Sequence, residues 1–255
     1  MLSILTLNTG LFQIRFFGRP LWEPVPEADI RLHYIIQGIL KLKPDIVCLQ
    51  EVYQPFHRKI LRRTLKREYP HVIFSVTHGN IIFSKYPVPR WHNNFFNKSF
   101  WIERLYTLMG FVHCTVATPY GKVRIANIHT TCGAGIFKPD SLIVKQTQKL
   151  QVQQLVRQVG RNRHNIILCG DFNAGPTLNP NVYHLLHKWV DVMGDSKQPT
   201  WSPNYTGQEG KVFSDQAPAR IDHIFVPKQY KVISAKTVLK NGESDHHGVL
   251  AKVRL

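Results

Sequence analysis

What this chain of 255 residues lacks narrows it first. No apolar run approaches the roughly 20 residues that a membrane-spanning helix needs, and Met1–Gly10 has none of the basic-then-apolar layout of a secretory signal. The expectation is a soluble protein with no transmembrane segment and no signal peptide, cytoplasmic or held peripherally at a membrane. Cysteine is scarce: Cys48, Cys114, Cys132 and Cys169 lie far apart, three of them inside apolar runs. That spacing fits neither a compact disulfide scaffold nor a zinc site, so free thiols in a reducing compartment are expected. Internal repeats, low-complexity tracts and linker-like shifts of composition are also missing, and residues 1–255 therefore read as a single domain. Acid is the last scarcity, with 16 Asp and Glu against 33 Lys and Arg, a net charge of +17. Such a field draws anionic partners, and nucleic acid or an acidic lipid leaflet would answer it equally. The plain alternative is that the charge serves only solubility.

What is present is a series of short apolar runs rich in Ile, Val and Phe: Ile4–Leu7, Ile46–Leu49, Asn80–Phe83, Gly110–Val116, Val123–Ile128, Ile166–Leu168 and Ile221–Val226. Each has strand length and most are continuous, the pattern of strands buried on both faces. Helical spacing appears over 30–42, 56–68 and 142–159, the last stopping at Gly160. Together these predict an α/β protein of two packed sheets with outer helices. The helix over 56–68 carries Arg58, Lys59, Arg62, Arg63, Lys66 and Arg67, leaving Ile60, Leu61 and Leu65 for the core. Its basic face is either merely solvated or a contact for an anionic surface. Residues 84–109 read as a long loop with Tyr86, Trp91, Phe95, Phe96, Phe100, Trp101 and Tyr106 among Lys85, Arg90, Lys98 and Arg104. This is either a packed irregular segment or a functional one, suited to a bilayer interface or to stacked bases.

Several strands discharge into polar residues. Ile4–Leu7 ends in Asn8, and Asp45–Gln50 ends in Glu51, a carboxylate that is costly at the end of a buried strand unless paired or metal-bound. Val123–Ile128 runs into His129. The strand from Asn165 runs into Gly170-Asp171-Phe172-Asn173, where extended geometry would point Asp171 and Asn173 to one side and Gly170 would let the backbone come close. Asp-His pairs follow at Asp222-His223 and Asp245-His246, an adjacency that could orient an imidazole. A metal with two histidines and carboxylates supplies what phosphodiester hydrolysis requires: an activated water, neutralised phosphoryl oxygens and help for the leaving group.

Taken in order, LNTG at 7–10, LQEVY at 49–53, IFSKYP at 82–87, NIHT at 127–130, GDFNAGP at 170–176, RIDHIF at 220–225 and SDHHGVL at 244–250 resemble the endonuclease/exonuclease/phosphatase superfamily. Within it the chain looks most like the neutral sphingomyelinase branch, through NIIFSKYPV before the aromatic stretch, the return GFVHCTV, and Thr200-Trp201-Ser202-Pro203-Asn204. Ser202 and His223 depart from that branch, which more often has Asp and Tyr there. The resemblance implies a deoxyribonuclease-I-like, four-layer α-β-β-α sandwich of two mixed sheets flanked by helices. It implies a magnesium site, with manganese as a substitute, on Glu51, Asn8 and Asp245. Asp171 and Asn173 would bind phosphate and position the water, and His246 would be general base, oriented by Asp222 or Asp245. His129 would stabilise phosphoryl oxygens or protonate the leaving oxygen, with Glu103 as its acidic partner. A phospholipid at a membrane surface, contacted through 84–109, is the expected substrate; nucleic acid is the alternative, and an inactive binding module is a third reading.

Overall fold

The computed structural model describes residues 1–255 except 18, 76, 134, 160–165 and 207–214, together with the backbone but not the side chain of Tyr106. The helix stop expected at Gly160 and the strand start expected at Asn165 lie outside the described residues. In chain order the elements are β1 (Leu2–Asn8), β2 (Ile14–Phe16), β3 (Arg19–Trp22), α1 (Ala28–Leu42), β4 (Ile46–Gln50), α2 (Pro55–Leu65), β5 (His71–Phe74), β6 (Ile81–Ser84) and β7 (Arg90–Phe95). There follow α3 (Trp101–Tyr106), β8 (Gly110–Thr118), β9 (Gly121–His129), α4 (Leu142–Val159), β10 (Ile166–Asp171), α5 (Pro180–Tyr183), β11 (Trp189–Asp191), β12 (Asp222–Pro227), β13 (Lys231–Val238) and β14 (Gly248–Arg254).

Two mixed sheets are built from these strands. One has the order β13-β14-β1-β4-β6-β5 and the other β11-β12-β10-β9-β8-β7. Each contains one parallel pair near its middle, β1 with β4 and β9 with β10. Alternation along a strand sends successive side chains to opposite faces, and here both faces are covered. Ile4, Cys48 and Ile82 meet Val112, Ile125, Cys169 and Ile224 between the sheets. Leu5, Leu7, Val47 and Leu49 face outward under Leu32, Ile35 and Ile39 of α1 and Leu61 and Leu65 of α2. Phe111, Ile128 and Leu168 lie under Val152, Leu155 and Val159 of α4. The result is the four-layer sandwich, and the doubly buried strands explain the continuous apolar runs.

Two expectations change. Residues 84–109 are not a structureless loop: they contain β7, paired along its length with β8, and α3, joined by a segment whose Phe96 is buried under α4. The sequence Arg90-Trp91-His92-Asn93-Asn94-Phe95 has no apolar face because β7 is an edge strand, wet on most of its surface. The basic helix also stops at Leu65, short of Glu68. Leu61, Leu65 and His57 are buried and Ile60 only partly so, while Lys59, Arg62, Arg63, Lys66 and Arg67 are exposed.

Candidate active site

β1, β4, β9 and β10 all end on one side of the sandwich, and there a cavity of about 450 Å³ opens. Asn8, Glu51, His129, Asp171, Asn173, Asp245 and His246 line it; Asp222 lies directly behind His246. Seven chain positions spread over nearly 240 residues are thus brought together by strand register and by the turns that follow β10 and precede β14. Parallel pairing puts Asn8 opposite Gln50, one residue before Glu51, and Asp171 opposite His129. Gly170 permits the second junction: its φ is +140°, and a Cβ there would lie 2.0 Å from the Ile128 carbonyl oxygen.

Asp222 Oδ2 lies 2.8 Å from His246 Nδ1, leaving Nε2 free to face the cavity 3.9 Å from Asp171. This decides between the two partners expected for His246. Asp245 instead accepts from the Trp201 indole N–H at 3.1 Å and the Ser244 hydroxyl at 3.2 Å. Neighbouring residues of a strand point to opposite faces, so Asp222 cannot serve the adjacent His223. That ring spans Asp191 and the Ala174 carbonyl, each at 3.0 Å, and stays outside the cavity.

Asp171 and Asn173 do not share one extended face, because β10 ends at Asp171. The Asn173 N–H donates to Asp171 Oδ1 at 2.8 Å, turning the chain so that Asn173 takes a φ of +46° and its amide donates to the Thr130 carbonyl. Glu51 also sits in the left-handed region at φ +62°, uncommon for a residue with a side chain and frequent at functional sites. Glu103 is not the partner of His129. It accepts from the Thr131 hydroxyl and caps α3 at the Phe100 N–H, while His129 Nδ1 is buried without a hydrogen bond among the described residues.

The electrostatics are those of too many carboxylates for their surroundings. Glu51, Glu103, Asp171 and Asp245 line the cavity, and among the described residues no Lys or Arg does. Burial and the nearby Asp245 raise the pKa of Glu51, and burial with Asp222 raises that of Asp171. Burial disfavours a charged His246, but Asp222, Asp245 and Asp171 outweigh it and push that imidazole up to about 10. Burial, His246 and His78 push His129 down to about 3, so it is a neutral ring. This donor set suits a hard divalent cation: clustered carboxylate oxygens with a surplus of negative charge, and a buried Asp222 Oδ1 without a hydrogen-bond partner among the described residues. Asp171, Asp222 and His246 bring ligand atoms within 4.8 Å of one another. Asn8 presents its amide nitrogen, 3.0 Å from Glu51 and 2.9 Å from Asp171, and its oxygen accepts from the Gly10 N–H. Coordination by that oxygen, as the resemblance implies, requires the amide to turn over.

Two supports were invisible as such in the sequence. Arg31, buried in α1, donates to the carbonyls of Thr9, Gly10, Val25, Pro26 and Glu243, tying the turn after β1 to the segment that carries Asp245. The only hint is a charge beside the apolar stripe of α1. Asn127, within NIHT, donates to the Leu49 and Ile81 carbonyls and accepts from Gln50, clamping the two sheets just beneath Glu51 and His129.

Similarity to known proteins agrees with this geometry. A Drosophila melanogaster protein named "Putative neutral sphingomyelinase" is 24% identical over the whole chain, which spans 61% of that relative's length. The crystal structure of Staphylococcus aureus beta toxin with bound magnesium ions superposes with a TM-score of 0.70 at 19% identity, covering 98% of both chains. That of D. rerio TDP2 with a single-strand DNA product gives 0.74 at 16% identity, covering 100% of this chain and 99% of that one. At such identities these likenesses show the fold. The endonuclease/exonuclease/phosphatase family matches residues 5–246, from β1 to the histidine of the dyad, and the chain belongs to that family.

Proposed function

We propose that this chain is a magnesium-dependent phosphodiesterase that hydrolyses a phospholipid, in the manner of a sphingomyelinase, by in-line attack of water. The observation that carries the hydrolytic reading is the Asp222–His246 dyad, whose free Nε2 faces Asp171 in a cavity shared with Glu51, Asp245 and His129. Glu51 and Asp245, with Asn8 after amide rotation, would hold the cation. When bound, it supplies positive charge against the phosphoryl oxygens and offsets the carboxylate field that otherwise keeps His246 protonated. Asp171 orients the water, and His246 takes its proton at Nε2 while Asp222 steadies the imidazolium through Nδ1; as the new P–O bond forms, the bond to the leaving oxygen opposite it breaks and that oxygen takes a proton from solvent. Asn173 binds phosphate beside Asp171. A neutral His129 is suited to donating a hydrogen bond to a phosphoryl oxygen and poorly suited to protonating the leaving oxygen.

A lipid is favoured over nucleic acid by the remaining walls of the cavity. Phe12, Trp22 and Tyr53 form an aromatic cluster, with ring centroids 6.0 Å and 5.3 Å from Phe12, and Met109, Leu178 and Trp201 add apolar surface. A nucleic-acid strand would bring phosphates on either side of the scissile one, and among the described residues the lining offers them no cation. Turnover of vesicle-borne choline phospholipid, plasmid DNA and single-stranded DNA should be compared with magnesium and with chelator. Lipid hydrolysis lost in chelator and restored by magnesium is expected; DNA cleavage with no lipid turnover would overturn the substrate assignment.

A further inference from the structure

The same cavity is bounded by two elements that the large sheets do not hold. β2 and β3 pair only with each other, and a lone hairpin is marginal in water. Every residue of β3 is exposed, and Phe16, Phe17 and Leu21 are 65%, 92% and 73% exposed. Phe16 and Phe17 pack on one another, with ring centroids 4.5 Å apart. Ile14 and Trp22 of this hairpin line the cavity, and so does Ile102 of α3, so hairpin and helix form walls of one opening. On α3, Trp101 and Leu105 lie one turn apart on the same face and are 67% and 66% exposed.

The charges on these elements are of one sign. Over 14–22 and 97–106 the exposed charged residues are Arg19, Lys98 and Arg104; Arg15 pairs with Asp29, and the one acid, Glu103, is buried. Protruding aromatics flanked by cations match a bilayer interface, where rings enter the headgroup layer and cations meet anionic lipid. Building on the phospholipid reading, we infer that the β2–β3 hairpin and α3 are a docking surface for an anionic bilayer. Phe16, Phe17, Leu21, Trp101 and Leu105 enter the membrane and set the cavity mouth against the headgroups.

The test is co-sedimentation of the full chain with phosphatidylcholine vesicles, with and without phosphatidylserine. Wild type is compared with the variants F16S/F17S/L21S and W101S/L105S, and hydrolysis of water-soluble bis(p-nitrophenyl) phosphate is followed alongside. None of the substituted side chains lines the cavity. Wild type should prefer the anionic vesicles. The hairpin variant should bind them roughly tenfold or more weakly and the helix variant less weakly, both keeping soluble-diester turnover within about twofold. Unchanged vesicle affinity in the hairpin variant would overturn the inference, as would a wild type that ignores vesicles and self-associates through the hairpin. If wild type binds vesicles through these residues yet turns over no diester, the docking surface stands and the phosphodiesterase reading fails.

Discussion

Asn8, Glu51, His129 and Asp171 stand at the ends of strands buried along nearly their whole length, whereas Phe16, Phe17, Leu21 and Trp101 stand on an isolated hairpin and a six-residue helix, open to solvent. The first group is positioned by ladder register and a web of hydrogen bonds that leaves its side chains little choice. The second is carried by elements held at few points, among them Arg15 to Asp29 and Glu103 to Thr131. A site that must place a water, a base and a phosphoryl group to within fractions of an ångström gains from the first arrangement. A surface that must adapt to a fluid partner gains from the second. On the proposed function, the chemistry resides in the scaffold and the choice of partner in its margin.

The sharpest way to break that division is to disable the chemistry while leaving the scaffold intact. His246→Ala should lower turnover of a soluble diester by on the order of 10³-fold while leaving vesicle binding unchanged. Asp222→Asn should cost less in rate but displace the pH profile, since it removes the largest of the charges that raise the imidazole pKa. If His246→Ala retained near-normal turnover, the base assignment would fail. Loss of vesicle binding in the same variant would show that margin and scaffold are coupled.

A second test strikes the scaffold itself. Asn127→Ala removes the side-chain donors to the Leu49 and Ile81 carbonyls and one acceptor of the Gln50 amide, which keeps the Thr6 hydroxyl, in the interior between the sheets. Each unsatisfied buried group costs about 1–3 kcal/mol, so a destabilisation of about 3 kcal/mol or more is expected in denaturant unfolding. Loss of stability below about 1 kcal/mol would mean that the clamp contributes little. Because the clamp lies directly under Glu51 and His129, activity should fall in step with the folded fraction or faster.

The same contrast explains what was legible in the sequence. Doubly buried strands announce themselves as continuous apolar runs, and polar residues at their ends stand out against that background, so the central strands, α1, α2, α4 and the polar strand-end residues of the cavity could be read directly. Elements that bury little carry no such signature: β7 reads Arg90-Trp91-His92-Asn93-Asn94-Phe95, and β3 is exposed throughout. Partnership was harder still. Asp222, at the start of β12, finds His246, just before β14 of the other sheet and 24 residues away, while its neighbour His223 turns to Asp191. The sequence left Asp222 and Asp245 both open as the partner of His246, and only the three-dimensional arrangement decides between them. Likewise nothing in the letters Asn-Ile-His-Thr says that the Asn holds two sheets together.

The smallest expected effect concerns the back of the scaffold, where Arg220 and His223 converge on Asp191 at 2.7 Å and 3.0 Å. Burial alone would raise this carboxyl, but His223 and Arg220 overcome it and hold the pKa at about 2, below the ordinary 3.8. A depressed carboxylate contributes its stability above the unfolded value and loses it as pH falls through the folded one. The stabilisation should therefore be complete above about pH 5 and fade between about pH 4 and 2, amounting to about 2 kcal/mol. Glu51 and Asp171, with raised values, respond to acid in the opposite sense, so the wild-type curve alone mixes the two. The gap in unfolding free energy between wild type and Asp191→Asn isolates the pair, and it should narrow as the pH approaches 2. A gap that stays constant to that pH would mean that Asp191 is not held by its partners. The exposed hairpin has no carboxylate of its own, so acid should loosen the support behind Ala174 and Asp222 while leaving the docking residues untouched.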